Sequence, residues 1–235
     1  MIIKAYKAIV VSGKEEALET KLAGIKENIR SEYLQAEKIM NVNVFLLRNE
    51  LYVYIESMEE EILPGDILHD ILEYLMVWPD YEDHYFYLLT EIFHFNEPQS
   101  IQHWSRKEKP LYCFGMIAKL VPEHTARYIY YHYQFQEERP GMGDKYGRIF
   151  LMGDLAFYYG EAPEIIEPAI HKGALNTSNT PDDEDWQNIM GTHFIWWDSC
   201  YPDCEAQNYD WKENGYPNGK SNNQWLYAKN ILSVI

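Results

Sequence analysis

Cysteine is scarce in this chain: Cys113, Cys200 and Cys204 are the only three in 235 residues. An odd, sparse set is a poor disulfide framework. Cys200 and Cys204 share a loop with no second ligand pair, so no metal is expected there. Basic charge is also short, with 20 Lys and Arg against 37 Asp and Glu and a formal net charge of -17. Such a chain repels polyphosphate, which excludes nucleic acid and anionic membrane surfaces as partners. No apolar run reaches the roughly 18 residues a membrane span needs. The opening MIIKAYKAIVV places Lys4 and Lys7 inside its apolar pattern, unlike a signal peptide, and reads as a first strand. A cytoplasmic protein is expected. P-loop, dinucleotide-binding and nucleophile-elbow motifs are all missing.

What the chain does have is an internal repeat. Val44 to Glu56 reads VFLLRNELYVYIE, and about a hundred residues later Ile149 to Glu161 reads IFLMGDLAFYYGE. Each is a strand, a turn and a strand, with turns expected at Asn49-Glu50 and Gly153-Asp154. An apolar strand and a helical segment precede each hairpin, with the strands at Ile2 to Val11 and Leu111 to Val121. Each copy closes on an aromatic-rich run, Glu91 to Phe95 and His193 to Trp197. Hydrophobic residues make up 46% of the chain, ample for packed cores.

Helical periodicity is clearest from Lys14 to about Glu32, where Ala17, Leu18, Leu22, Ile25 and Ile29 form a stripe that would cover a sheet. The matching helix of the second copy opens at Pro122-Glu123 and stops near Arg139-Pro140. Later helices are expected from Gly65 to Val77 and from Glu184 to Met190. The fold class that follows is α+β: two ferredoxin-like βαββαβ units that pair sheet to sheet as an intrachain dimeric α/β-barrel. The expected domains are residues 1–98, a surface linker at 99–110, residues 111–198, and an irregular aromatic arm at 199–235 that packs on the body. A barrel closed within one chain leaves further oligomerisation open.

Fold does not specify function, so a site is needed. Tyr128 and His132 stand four apart on the second copy's first helix and share one face. Histidine gives and takes protons near neutrality, and tyrosine can polarise a developing oxyanion. Trp186 on the late helix offers a flat ring for the C–H face of a sugar. Arg148 and His193, on expected strands, are candidates to face the same cavity and bind sugar hydroxyls, and equally to be structural residues whose hydrogen bonds are met within the fold. The Tyr-x3-His spacing is common by chance in a chain with 20 tyrosines and 8 histidines. Aromatics filling a helix–sheet core would produce it as well. The Glu161, Glu164 and Glu167 group reads as a solvated helix face rather than a source of a catalytic carboxylate.

The register around the pair carries more. Met116 to His132, MIAKLVPEHTARYIYYH, resembles the opening of the L-rhamnose mutarotase family, in which a strand runs into a proline-acid helix start and a Tyr-x3-His helix. Pro122, Glu123, Tyr128 and His132 fall on the matching positions, and the Ile149 to Leu151 strand and the Trp186-x3-Met190 spacing are similar too. The resemblance implies a sugar mutarotase-like isomerase that interconverts pyranose anomers without a cofactor. His132 and Tyr128 would be catalytic, Trp186 would line the site, and a small monosaccharide would be the partner. Copy one carries Leu18, Leu22 and Ile71 at the three site positions, and so reads as a degenerate, structural half. Copy two departs from the family at Gln136 and Gln187, where tryptophan is usual. An unperturbed imidazole would make the rate fall as pH drops through about 6.5. The alternative is a non-catalytic carbohydrate-binding or regulatory module of the dimeric α/β-barrel class. A third reading is a monooxygenase or haem-binding protein of that class, which titration with haem would separate.

Overall fold

The structure is a computed structural model and describes residues 1–79, 83–138, 141–170, 173–197 and 224–235. In chain order its elements are β1 (Ile2–Ile9), α1 (Glu15–Ile29), β2 (Ile39–Leu47), β3 (Glu50–Ser57), α2 (Pro64–Ile67), β4 (Tyr87–Leu88), β5 (Thr90–His94), α3 (Ile101–Trp104), β6 (Tyr112–Leu120), α4 (Thr125–Glu138), β7 (Met142–Asp144), β8 (Arg148–Met152), β9 (Leu155–Ala162), β10 (Ile166–Pro168), α5 (Asp183–Gly191), β11 (Phe194–Ile195) and β12 (Trp225–Val234). The fold is mixed α and β with antiparallel strand pairing. No helix among the described residues is long and apolar enough to cross a membrane.

Two compact units are present, and neither is one continuous stretch. The first comprises Met1–Leu89, Pro98–Cys113 and Ala228–Ile235; the second comprises Thr90–Glu97 and Phe114–Tyr227. The expected boundary near residue 98 therefore falls elsewhere, because strands are exchanged. In the first unit the order is β4-β1-β3-β2-β12, so the chain's last strand pairs with β2. In the second it is β11-β6-β9-β8-β5, so β5 leaves its own half of the sequence and pairs with β8. The two orders correspond position by position. Trp225–Val234 of the expected irregular arm is thus a ladder strand; Cys200, Cys204 and the rest of 198–223 lie outside the described residues.

In the first unit, the stripe seen in the sequence makes α1 the cover of the sheet. Leu18, Leu22, Ile25 and Ile29 are buried against Leu51, Val53 and Ile55. Ala17 is exposed, because it lies about 100° round the helix from Leu18. Glu15 and Glu16 in the first turn and Lys26 in the last suit the helix dipole. The hairpin turn sits one residue earlier than expected, at Arg48-Asn49, because Glu50 already pairs with Leu47 and Ile9. The helix expected from Gly65 to Val77 breaks into α2 and a 3₁₀ turn at His69–Tyr74.

Strand alternation sends Glu50, Tyr52, Tyr54 and Glu56 to the face away from α1. Glu56 is fully buried there. Arg106 Nη1 and Nη2 both donate to its carboxylate, as do the Tyr54 hydroxyl at 2.9 Å and Trp104 Nε1 at 3.2 Å. Burial alone would raise the Glu56 pKa, but Arg106 and the other donors hold it below the ordinary value. Most of residues 99–110 are exposed, but the segment is anchored at two side chains. Trp104 is buried and Arg106 is locked in place, since a buried carboxylate needs its counterion.

Candidate functional site

In the second unit, α4 opens after a 3₁₀ turn at Pro122–His124 and lays Tyr128 and His132 on its sheet-facing stripe. Tyr128 is 1% exposed and His132 7% exposed. The two rings lie 4.1 Å apart between centroids. Trp186, on α5, stands 5.4 Å from His132, and Phe93, on β5, stands 5.5 Å from it on edge. Phe135 closes the group, 5.2 Å from Trp186 and 5.8 Å from Phe93. His132 is thus flanked by three aromatic rings, with Phe135 packed against two of them.

His132 Nδ1 lies 2.9 Å from the Tyr128 carbonyl oxygen. A carbonyl only accepts, so Nδ1 carries the proton and Nε2 presents its lone pair. Burial, reinforced by nearby His193 and opposed by that hydrogen bond, pushes the His132 pKa down to about 4. The ring is neutral at pH 7 and is a proton acceptor of low basicity. Burial raises the Tyr128 pKa, so it remains a phenol able to donate. This displaces the pH dependence expected of an unperturbed imidazole: loss of the basic form is moved from near 6.5 down to about 4.

The same shift acts on stability. Between pH 6.5 and 4 the unfolded chain binds the His132 proton and the folded chain does not, so stability falls as pH drops across that window. The expected loss is about 3 kcal/mol, from a shift of roughly 2.5 units at 1.36 kcal/mol each. His132→Gln should flatten that slope in urea titrations at pH 4 and pH 7. An unchanged slope would place the buried proton elsewhere.

His193 is beside the pair but is not a free ligand. It lies in the turn before β11, not on a strand, and is 0% exposed. Its Nδ1 donates to the Ile189 carbonyl at 2.8 Å, and its Nε2 accepts from Arg127 Nε at 3.0 Å. Burial first, and then the Arg127 charge, lower its pKa. With both nitrogens engaged, it ties α4 to the end of α5. Arg148 is placed apart from the pair. Ile149 and Leu151 pack in the cluster with Tyr128, so alternation turns Arg148 to the other face of β8. There it binds the Glu91 carboxylate and donates to the Asn96 carbonyl at 2.9 Å.

The Glu161, Glu164 and Glu167 group is not a helix face. Glu161 is the penultimate residue of β9, buried, and accepts from Tyr159 at 2.7 Å. Glu167 lies on β10, accepts from Asn96 and pairs with Lys145. Among the described residues no group of three or more metal-ligating side chains is present. Gln136 accepts from the His94 backbone amide at 3.1 Å, so it joins α4 to β5. Phe135 continues the stripe of residues 128 and 132 at the next turn and was open to discovery by spacing. Phe93 was not, because it arrives on a strand from the other half of the sequence.

No family model matches the chain, and no curated protein matches it. A solved structure from Fusobacterium nucleatum subsp. nucleatum, described as a "putative monooxygenase", is similar at 9% identity with a TM-score of 0.36, over 98% of this chain and 92% of that one. Likeness at that level assigns neither a fold nor a chemistry.

Proposed function

We propose that the protein is a mutarotase-like isomerase that interconverts pyranose anomers, with His132 as the acid/base and Tyr128 as its partner. The observation that carries this reading is the fixed tautomer of His132: the Tyr128 carbonyl holds Nδ1–H, and Nε2 is left as a neutral acceptor among aromatic rings. Ring opening requires removal of the anomeric hydroxyl proton and protonation of the ring oxygen, and closure on the other carbonyl face reverses both. Nε2 takes the first proton and can return it to the ring oxygen, while the Tyr128 phenol polarises the anomeric centre and Trp186 forms the apolar wall. We propose also that the chain is a duplicated ferredoxin-like protein of the dimeric α/β-barrel class. The matching strand orders support this, as do Tyr54 on Glu56 and Tyr159 on Glu161, the same contact at the same place in both copies of the repeat. Leu18, Leu22 and Ile71, all 0% exposed, fit copy one as the structural half.

A non-catalytic carbohydrate-binding or regulatory module is favoured by a different observation, the close packing of His132 and Tyr128 and the weak basicity that follows. NMR exchange spectroscopy on a panel of aldoses separates the two. Faster anomer exchange for at least one aldose or deoxyhexose supports the isomerase. Line broadening from sugar binding with exchange at the solvent rate supports the module.

A further inference from the structure

The helix that carries Trp186 is strapped to α4 at both ends, and the two straps differ in kind. At its far end, Arg127 of α4 holds buried His193 through Nε and donates to Thr192 Oγ1 at 3.3 Å, while His124 meets the Thr192 carbonyl at 2.9 Å. At its near end the loop 173–181 is tied to the last residues of α4. Ala174 N donates to the Glu137 carboxylate at 2.8 Å. Glu138 takes more: the Thr180 amide and hydroxyl, each at 2.6 Å, the Thr177 hydroxyl, and Gln134 at 3.1 Å. Among the described residues no Lys or Arg pairs with Glu138. Its partners are hydroxyls and amides, and Thr177 and its neighbours from Asn176 to Asn179 are exposed. Between the straps, Trp186 lies against His132 and Phe135.

We propose that α5 is a lid over His132 and that Glu138 is the latch that holds it shut. With Trp186 in place His132 is 7% exposed, too little surface for a sugar-sized molecule to lie against the ring, and lifting α5 would uncover it. The near end is the one to open. A solvent-accessible carboxylate held by hydroxyls on an exposed loop has low local stability, whereas the far strap rests on a buried imidazole bonded through both nitrogens. Glu138 is accordingly a positioning residue: it sets Trp186, and through Trp186 the access and hydration of His132. Burial alone would raise the pKa of Glu138, but its four donors hold it at about 2, so the latch stays ionised across the physiological range. The role of the lid in admitting a sugar rests on the reading of the site given above; its existence does not.

The test is the titration of the labelled His132 ring by NMR, with backbone hydrogen exchange of residues 174–190, in wild type, Glu138→Ala and Thr180→Val. Each variant that folds should raise the apparent His132 pKa by about one unit or more, since a tenfold gain in the open state hydrates the ring, and should speed exchange across 174–190 about tenfold. Thr180→Val keeps the carboxylate and serves where Glu138→Ala does not fold. An unchanged His132 pKa and unchanged exchange in the folded variants would overturn the latch. If the pKa rises and no aldose is turned over, the lid stands and the isomerase reading falls. If an aldose is turned over and the pKa is unmoved, the latch falls and the reaction stands.

Discussion

His132→Ala is expected to slow anomer exchange on the best aldose by about 10²- to 10⁴-fold, the usual contribution of one positioned acid/base group. The imidazole is the only group in the aromatic cluster with a fixed lone pair, because the Tyr128 carbonyl has already claimed Nδ1–H. Removing it leaves rings that can hold a sugar but cannot move its proton. Tyr128→Phe should cost less, since a phenol that polarises the anomeric centre assists a transfer it does not perform. The wild-type rate should be flat from pH 8 to 5 and fall as pH approaches 4, where the His132 basic form is lost. Full exchange rates in folded His132→Ala, checked by circular dichroism, would refute the assignment. A midpoint near 6.5 would show that the ring is hydrated in the working enzyme.

Arg106→Ala is expected to destabilise the first unit by about 3–5 kcal/mol, the usual cost of leaving one half of a buried ion pair behind. Glu56 is fully buried, and Arg106 meets its carboxylate through both Nη1 and Nη2. In wild type the lowered Glu56 pKa contributes stability that is present above the unfolded carboxylate value and lost as pH falls through the folded one. Without Arg106 burial dominates, the Glu56 pKa rises, and the carboxyl protonates instead. The gap between wild type and Arg106→Ala should therefore narrow as pH is lowered, and Arg106→Ala with Glu56→Gln should recover part of the loss. Urea denaturation at pH 7 and pH 4.5 measures both effects. An Arg106→Ala protein as stable as wild type at pH 7 would mean that Glu56 finds another counterion.

The elements that were legible in the sequence are those whose apolar residues keep one period along one stretch of chain. Leu18, Leu22, Ile25 and Ile29 recur at helical spacing and are the buried stripe of α1; the Gly153-Asp154 turn sits where its residues demand, with Gly153 at a positive φ. Tyr128 and His132 share a helix face by their i to i+4 spacing, Trp186 was named through the resemblance of its helix, and the structure brings the three rings together. Arg148 and His193 went the other way. Nothing in their local pattern says which face of a strand is turned to α4, or that Glu91, Asn96, Arg127 and Ile189 wait to satisfy them.

Sequence by itself determined the α1 stripe that covers a sheet, the hairpin at Gly153-Asp154 and the acidic, cysteine-poor character of the chain, because each depends on residue type and short-range period alone. Tertiary structure decided which strand completes which unit, since β5 and β12 pair far from their sequence neighbours and edge pairing follows geometry rather than local propensity. It also decided the proton affinity of His132, for a side chain's pKa is set by the solvent it loses and the partners it meets, and Phe93, Trp186 and the Tyr128 carbonyl become its surroundings only once the chain has closed around them.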